Sequence, residues 1–242
     1  GRRAIMEAQA ELVQSYWESD LDVYDRQQMN SERPNISCAV ELPPYFYIPN
    51  ELYYSFGPQL VKEIRTGGGM EAVTEALHEL PTAEQVYSPE KYFAKEVYED
   101  IPIDEIELQG WTVIDQGSLD ALDIVYLLQG PLGRQTAVPA AVGIGGGKWI
   151  DYIDDNNNLL MTIKISGDSS EDLQEIFIAF TNGILGQQRF TNVGEGFSGY
   201  LGFTENGTEG WTSNDGEYVR MVLSSTRGPI GDLFDSNQLL DY

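Results

Sequence analysis

The amino-acid sequence predicts an α+β fold, helical through about residue 100 and mixed over 101–242. Three observations carry this. Apolar residues in the first hundred positions recur at helical intervals, after Pro102 they gather into short strand-like runs, and one pair of those runs flanks a polar turn. With 242 residues, 41% of them hydrophobic, the chain can bury a sizeable core. We expect a single α+β unit over 1–242, open to subdivision into a helical 1–100 and a mixed 101–242.

Ile5, Leu12, Val13, Tyr16, Trp17, Leu21 and Tyr24 are spaced for one face of a helix, so residues 2–30 read as a core-facing amphipathic helix, broken near Ser19. The stretch from Pro34 to Pro49 reads as a rigid connector whose prolines forbid a continuous helix. Asn50-Glu51 starts a second helix that fades at Gly67-Gly68-Gly69, and a third runs from Met70 and stops before Pro81. Thr82, with Gln85 three positions on, has the composition of a capping box. The aromatic groups Tyr45-Phe46-Tyr47 and Tyr53-Tyr54 read as core, and their exposure would instead mark a contact surface.

Ile106-Glu107-Leu108 and Trp111-Thr112-Val113-Ile114 look like strands, and Leu119 to Gln129 like one buried helix. Trp149 to Ile153 and Leu160 to Ile165 form an antiparallel hairpin around Asp154-Asp155-Asn156-Asn157-Asn158. Ser169-Ser170-Glu171-Asp172 starts a helix over Leu173 to Phe180. Phe203-Thr204 and Tyr218 to Leu223 add strands, and a short amphipathic helix from Ile230 to Leu240 closes the chain. No repeat of fixed period is present.

Charge and rare residues narrow the chemistry. The 39 acidic against 14 basic residues give a net charge of -25, which repels nucleic acid and anionic membranes. No apolar run approaches the ~20 residues of a membrane span. The lone cysteine, Cys38, excludes an intrachain disulfide and a cysteine zinc cluster, and reads as a small buried hydrophobe. The lone histidine, His78, sits in a helical run and reads as structural; one imidazole cannot supply a His-Glu-x-x-His site. A serine hydrolase is not indicated either, since Ser198 lies in a glycine-rich loop without the Gly-x-Ser-x-Gly frame.

Two further motifs fail on detail. Gly143-Ile144-Gly145-Gly146-Gly147-Lys148 departs from a phosphate loop at Val142 and Trp149, so it reads as a tight turn or a close packing point before a strand. Asp154, Asn156 and Asn158 resemble the opening of a calcium loop, but Leu159 and Ile165 stand where Gly and Glu belong, which leaves a hairpin turn. Asn35 and Asn206 begin N-glycosylation sequons that matter on an exported protein.

One longer stretch is more specific: Pro81-Thr82-Ala83-Glu84-Gln85-Val86-Tyr87-Ser88-Pro89-Glu90-Lys91-Tyr92. With Glu7-Ala8-Gln9-Ala10, Leu52 to Gly57 and Ala140 to Trp149 in the same order, it resembles the C-terminal portion of an uncharacterised family of exported prokaryotic zincin-like, metallopeptidase-related proteins. The resemblance covers roughly Ala4 to Phe180, and its motif residues are Glu84, Gln85, Pro89, Glu90, Lys91 and Tyr92. It implies that Glu7 stands where a third zinc ligand would be, although the same position suits an ordinary solvated glutamate. The family's metal-binding helix is absent, its histidine before Pro-Glu-Lys-Tyr is Ser88, and its Gly-Asp is Gly146-Gly147.

Two readings follow from these departures. The first is a non-catalytic, extracytoplasmic or secreted subunit that binds a protein partner or joins an assembly, with no cofactor and no catalytic residue of its own. The second is the C-terminal portion of a secreted zinc metallopeptidase, whose zinc depends on an upstream His-Glu-x-x-His segment. The joint loss of several family residues favours the first.

Overall fold

The computed structural model describes residues 1–32, 44–186, 191–196, 199–204 and 206–235. Their contacts divide the chain into two compact units, Gly1–Glu96 and Val97–Tyr242. The first is helical and the second is a sheet with helices, which together make an α+β protein.

In the first unit the helical period of residues 2–30 yields α1 (Arg2–Asp20) and α2 (Val23–Glu32). The break falls at Leu21, which is extended, and the Asp22 carboxylate accepts the Asp25 amide at 2.9 Å to restart the helix. Only Ala4, Ile5 and Ala8 of α1 are fully buried. The expectation of a core-facing helix is corrected beyond them: Val13, Tyr16, Trp17 and Tyr24 are 68%, 49%, 56% and 74% exposed.

The proline-rich connector is also corrected where it is described, because Pro44–Glu51 is helical (α3) and contains Pro49. A π turn over Leu52–Phe56 follows, closed by the Gly57 amide on the Leu52 carbonyl, and α4 (Gly57–Glu75) continues from it. Proline is compatible with this path at a first turn, where no amide donor is needed, as at Pro44, and Pro58 follows directly on the wider closure of the π turn. The expected fading at three glycines appears as a kink at Gly69, whose φ of 68° and ψ of -160° interrupt the helix before it resumes. Buried Leu60, Val61 and Ile64 of α4 and Ala4, Ile5 and Ala8 of α1 form the helical core. Gly57 lets the two helices approach, since a methyl group there would stand 2.9 Å from the Ala4 carbonyl oxygen and 3.2 Å from the Ala8 β-carbon.

Short helices α5 (Ala83–Tyr87) and α6 (Pro89–Ala94) complete the unit. The capping box forms as the sequence predicts, with the Gln85 amide donating to Thr82 Oγ1 and the Thr82 amide to Gln85 Oε1, each at 3.1 Å.

The second unit is built on an antiparallel sheet of β1 (Trp111–Ser118), β2 (Ile144–Asp154), β3 (Leu159–Gly167), β4 (Thr191–Gly196), β5 (Gly199–Phe203), β6 (Glu209–Asn214) and β7 (Val219–Ser224). The order across it is β1-β2-β3-β7-β6-β5-β4. The β2–β3 hairpin is the predicted one, extended upstream to include the glycine run. Residues 106–108 are not a strand. Instead Ile106 is buried and its amide donates to the Tyr152 hydroxyl at 2.9 Å, so the apolar run packs on the sheet without joining it. Helices α7 (Ala121–Leu132), α8 (Arg134–Val142) and α9 (Ser170–Phe180) follow in the same unit, α7 capped by Asp120 and α9 by Ser169. A last helix, α10, covers Pro229–Asp235; the remainder of the expected closing helix lies outside the described residues.

The glycine run is a close packing point inside β2 rather than a turn before it. A β-carbon at Gly146 would lie 2.3 Å from the Glu99 carbonyl oxygen, and the Glu99 amide donates to the Gly145 carbonyl at 2.7 Å. The Tyr98 hydroxyl accepts the Gly147 amide at 2.6 Å and donates to the Leu119 carbonyl at 2.7 Å. Burial, before any charge effect, pushes that hydroxyl above its ordinary pKa. Along the same sheet face Ile150, Tyr152, Leu160, Trp211 and Val222 form a core with Ile106, Ile230 and Leu233. Glu209, 3% exposed, holds α10 there by accepting the Ile230 amide at 2.7 Å and the Gly228 amide at 3.3 Å.

Two outcomes follow. Alanine outranks glycine in a helix by about 1 kcal/mol, yet Gly57→Ala will lower the calorimetric midpoint by a few degrees, because the added carbon meets the Ala4 backbone. An unchanged midpoint would show that α1 can shift aside. Desolvation raises the Glu209 pKa despite its amide donors. A raised carboxylate contributes most below its unfolded pKa, and that contribution is lost as pH rises through the folded value. Denaturant titrations of wild type and Glu209→Gln should therefore diverge in favour of wild type as pH falls through the range above ~4.3.

Candidate functional site

Glu7 lies on α1, one turn after Arg3, and is about one-third exposed. Its Oε1 is 3.6 Å from Arg3 Nε, and its Oε2 accepts the Tyr54 hydroxyl at 2.8 Å. Tyr54 comes from the π turn, an insertion geometry that resets which side chains face α1. The Glu7 hydrogen bond, then desolvation and the carboxylate charge, hold the Tyr54 hydroxyl above its ordinary pKa. Arg3 also lies over the Tyr53 ring, 5.0 Å from its centroid.

A zinc centre needs three or four ligands. Among the described residues no group of three potential His, Cys, Asp or Glu ligands includes Glu7. His78 is exposed on the turn that follows α4. Among the described residues, the side chains around Glu7 do not by themselves supply the further ligands that a zinc site needs.

The specific motif folds into a clasp. Thr82 and Gln85 cap α5, and Gln85 Nε2 also donates to the Glu96 carbonyl at 2.8 Å. Pro89, buried, opens α6 at the position where a missing amide costs nothing, while Glu90 beside it is exposed. Lys91 then bridges two carboxylates, 2.9 Å from Glu84 Oε1 and 2.5 Å from Glu96 Oε1. Glu84 is 6% exposed, so an ammonium at this distance is what makes its charge tolerable. Tyr92 packs edge-on to Phe93, with centroids 5.4 Å apart, and its hydroxyl is pushed up by burial and then by Glu75 and Glu79. Every polar group in this stretch whose contacts are described serves the fold.

Comparison with family models, curated proteins and solved structures found no match for this chain.

The remaining candidates are placed as follows. Asp154 Oδ1 accepts the Asn156 and Asn158 amides at 2.8 Å each, and Oδ2 accepts Asn158 Nδ2 at 2.8 Å. These bonds, led by the Asn158 side chain, lower its pKa and make it the organiser of a hairpin turn. Asn206 is exposed in the turn between β5 and β6. Asn35, Cys38 and Ser198 lie outside the described residues.

The surface feature that sequence reasoning missed is on α1. Met6, Ala10, Val13 and Trp17 recur at helical spacing on the side opposite Ala4, Ile5 and Ala8, and all four are exposed. The periodicity was visible, but two apolar stripes on one helix read as one broad core face. Gln9 and Gln14 flank the outer stripe, and Glu7, Glu11 and Glu18 lie beyond Gln14 on one side of it. Phe46, Tyr47 and Tyr54, expected in the core, are likewise 56%, 40% and 43% exposed.

The clasp yields a test. Lys91→Met leaves Glu84 buried without its cation and should cost about 3–5 kcal/mol in urea denaturation, part of it regained by adding Glu84→Leu. A loss below about 1 kcal/mol would mean that the bridge is dispensable.

Proposed function

We propose that this chain is a non-catalytic, extracytoplasmic binding subunit whose outer α1 stripe docks a basic amphipathic helix of a protein partner. The observation that carries the reading is the exposed row Met6, Ala10, Val13 and Trp17. Among the described residues this second stripe stays exposed while the first is buried, and such exposed apolar rows mark contacts with other chains. Glu11 and Glu18 on the same helix, with the net charge of -25, favour a partner whose apolar face is flanked by Lys or Arg. A second copy of the same chain is disfavoured by the net charge of -25.

Support for a non-catalytic role comes from the residue supply. The single imidazole is exposed on a turn, Glu7 is engaged by Tyr54 and Arg3, and the motif residues Glu84, Gln85 and Lys91 are engaged in the clasp. No helix among the described residues is long and apolar enough to cross a membrane. For an exported protein, Asn206 offers an exposed glycan acceptor.

Isothermal titration with synthetic amphipathic helices tests the reading. A Leu/Lys helix should bind saturably, and a Leu/Glu helix of the same length should not. Val13→Asp makes the protein still more acidic, so general charge attraction would strengthen with it. The proposal expects at least tenfold weaker binding in that variant, and equal or tighter binding would overturn it.

A further inference from the structure

Only 14 of the 242 residues are Lys or Arg, yet three of them stand side by side on one sheet face. The registers pair Ser118 with Lys148, Lys148 with Lys164, Lys164 with Arg220, and Arg220 with Ser213. This is one continuous row of donors across β1, β2, β3, β7 and β6, with neighbours about 5 Å apart. Like charges directly opposite one another in a sheet are destabilising. The row therefore carries a repulsion that the fold relieves only in part.

The relief is uneven. Lys148 Nζ is 2.5 Å from Asp100 Oδ1, and Arg220 pairs with Asp215. Lys164, between them and 5% exposed, has no carboxylate at ion-pair distance among the described residues; its contact is the Tyr218 ring, 4.5 Å from the ammonium. Arg220 shares that ring at 5.4 Å. Asp104, Asp215 and Glu217 act on Lys164 from farther away. Beside the row, Asp100, Gln116, Ser118 and Lys148 line a cleft of about 550 Å³. The Asp100 side chain is 85% exposed, so water can take it over at little cost when another anion displaces it.

We propose that this row is a binding strip for a tetrahedral oxyanion, phosphate or sulfate, entering by the cleft and held by Lys148 and Lys164 with Ser118 as a neutral donor. The ligand would neutralise the central ammonium, which has no carboxylate at ion-pair distance among the described residues, and charge-assisted bonds to two lysines supply the affinity. The site is independent of the α1 stripe: it lies wholly within the second unit, and neither observation draws on the other.

Titration with inorganic phosphate, then sulfate, at constant ionic strength set with chloride, decides the matter by calorimetry and by thermal midpoint. Wild type should show saturable heat and a midpoint that rises with anion occupancy. Lys164→Met should weaken binding at least tenfold while its anion-free midpoint is unchanged or higher, because a buried repulsion is gone. Should that variant fail to fold, Lys148→Met, at a half-buried position, should still weaken binding several-fold. No saturable response in wild type, or a response in Lys148→Met equal to that of wild type, would overturn the proposal.

Discussion

The second unit depends on three missing side chains. Residues 98–101 run across β2 close enough for Glu99 to bond the Gly145 carbonyl, and for the Glu99 carbonyl to fall where a β-carbon of residue 146 would be. Glycine at 145–147 makes that approach possible, and the amide and carbonyl groups it brings together are satisfied by Glu99 and by the Tyr98 hydroxyl. The strand is thereby covered at one end by backbone and at the other by the core around Ile150 and Tyr152. The cationic row begins at Lys148, directly after the glycines, and its place on the covered face follows from the register they allow. A run that resembles a phosphate loop on paper thus has a packing role, and the cations are Lys148 of the same strand with Lys164 and Arg220 of the strands beside it.

The first unit separates two uses of the same kinds of residue. Buried carboxylates and amides in the Pro81–Tyr92 stretch are consumed by caps and by the Lys91 bridge, which makes this most specific-looking motif a fold determinant. Function is better sought where residues are left over. On α1, Ala4 and Ala8 allow α4 to approach through Gly57, while Met6, Val13 and Trp17 on the other side are exposed.

Local chemistry was the most legible part of the sequence. The Thr82–Gln85 box, the Ser169 cap, the Asp154 turn and the glycine break at residue 69 each rest on bonds or dihedrals among neighbours, and all are present. Tertiary facts were less legible. Val13, Tyr16 and Trp17 look identical in sequence whether a helix face meets a core or a partner. Ile106 has the alternation of a strand, but its amide is taken by Tyr152, distant in sequence, and not by a ladder. The prolines between Pro34 and Pro49 suggested a connector, and the π turn that follows α3 has no short-range signature. The Lys148–Lys164–Arg220 row could not be seen at all before strand order brought β7 next to β3.

The π turn at Leu52–Phe56 has a consequence for how this helix can vary over time. Each residue in a helix advances the azimuth by about 100°, so one residue gained or lost here would swing Leu60, Val61 and Ile64 away from α1 while leaving every identity intact. Substitution within the turn disturbs a side chain; insertion or deletion re-aims everything downstream. The quantity under guard at this point is spacing, and natural drift should respect the count of residues there more strictly than their kind.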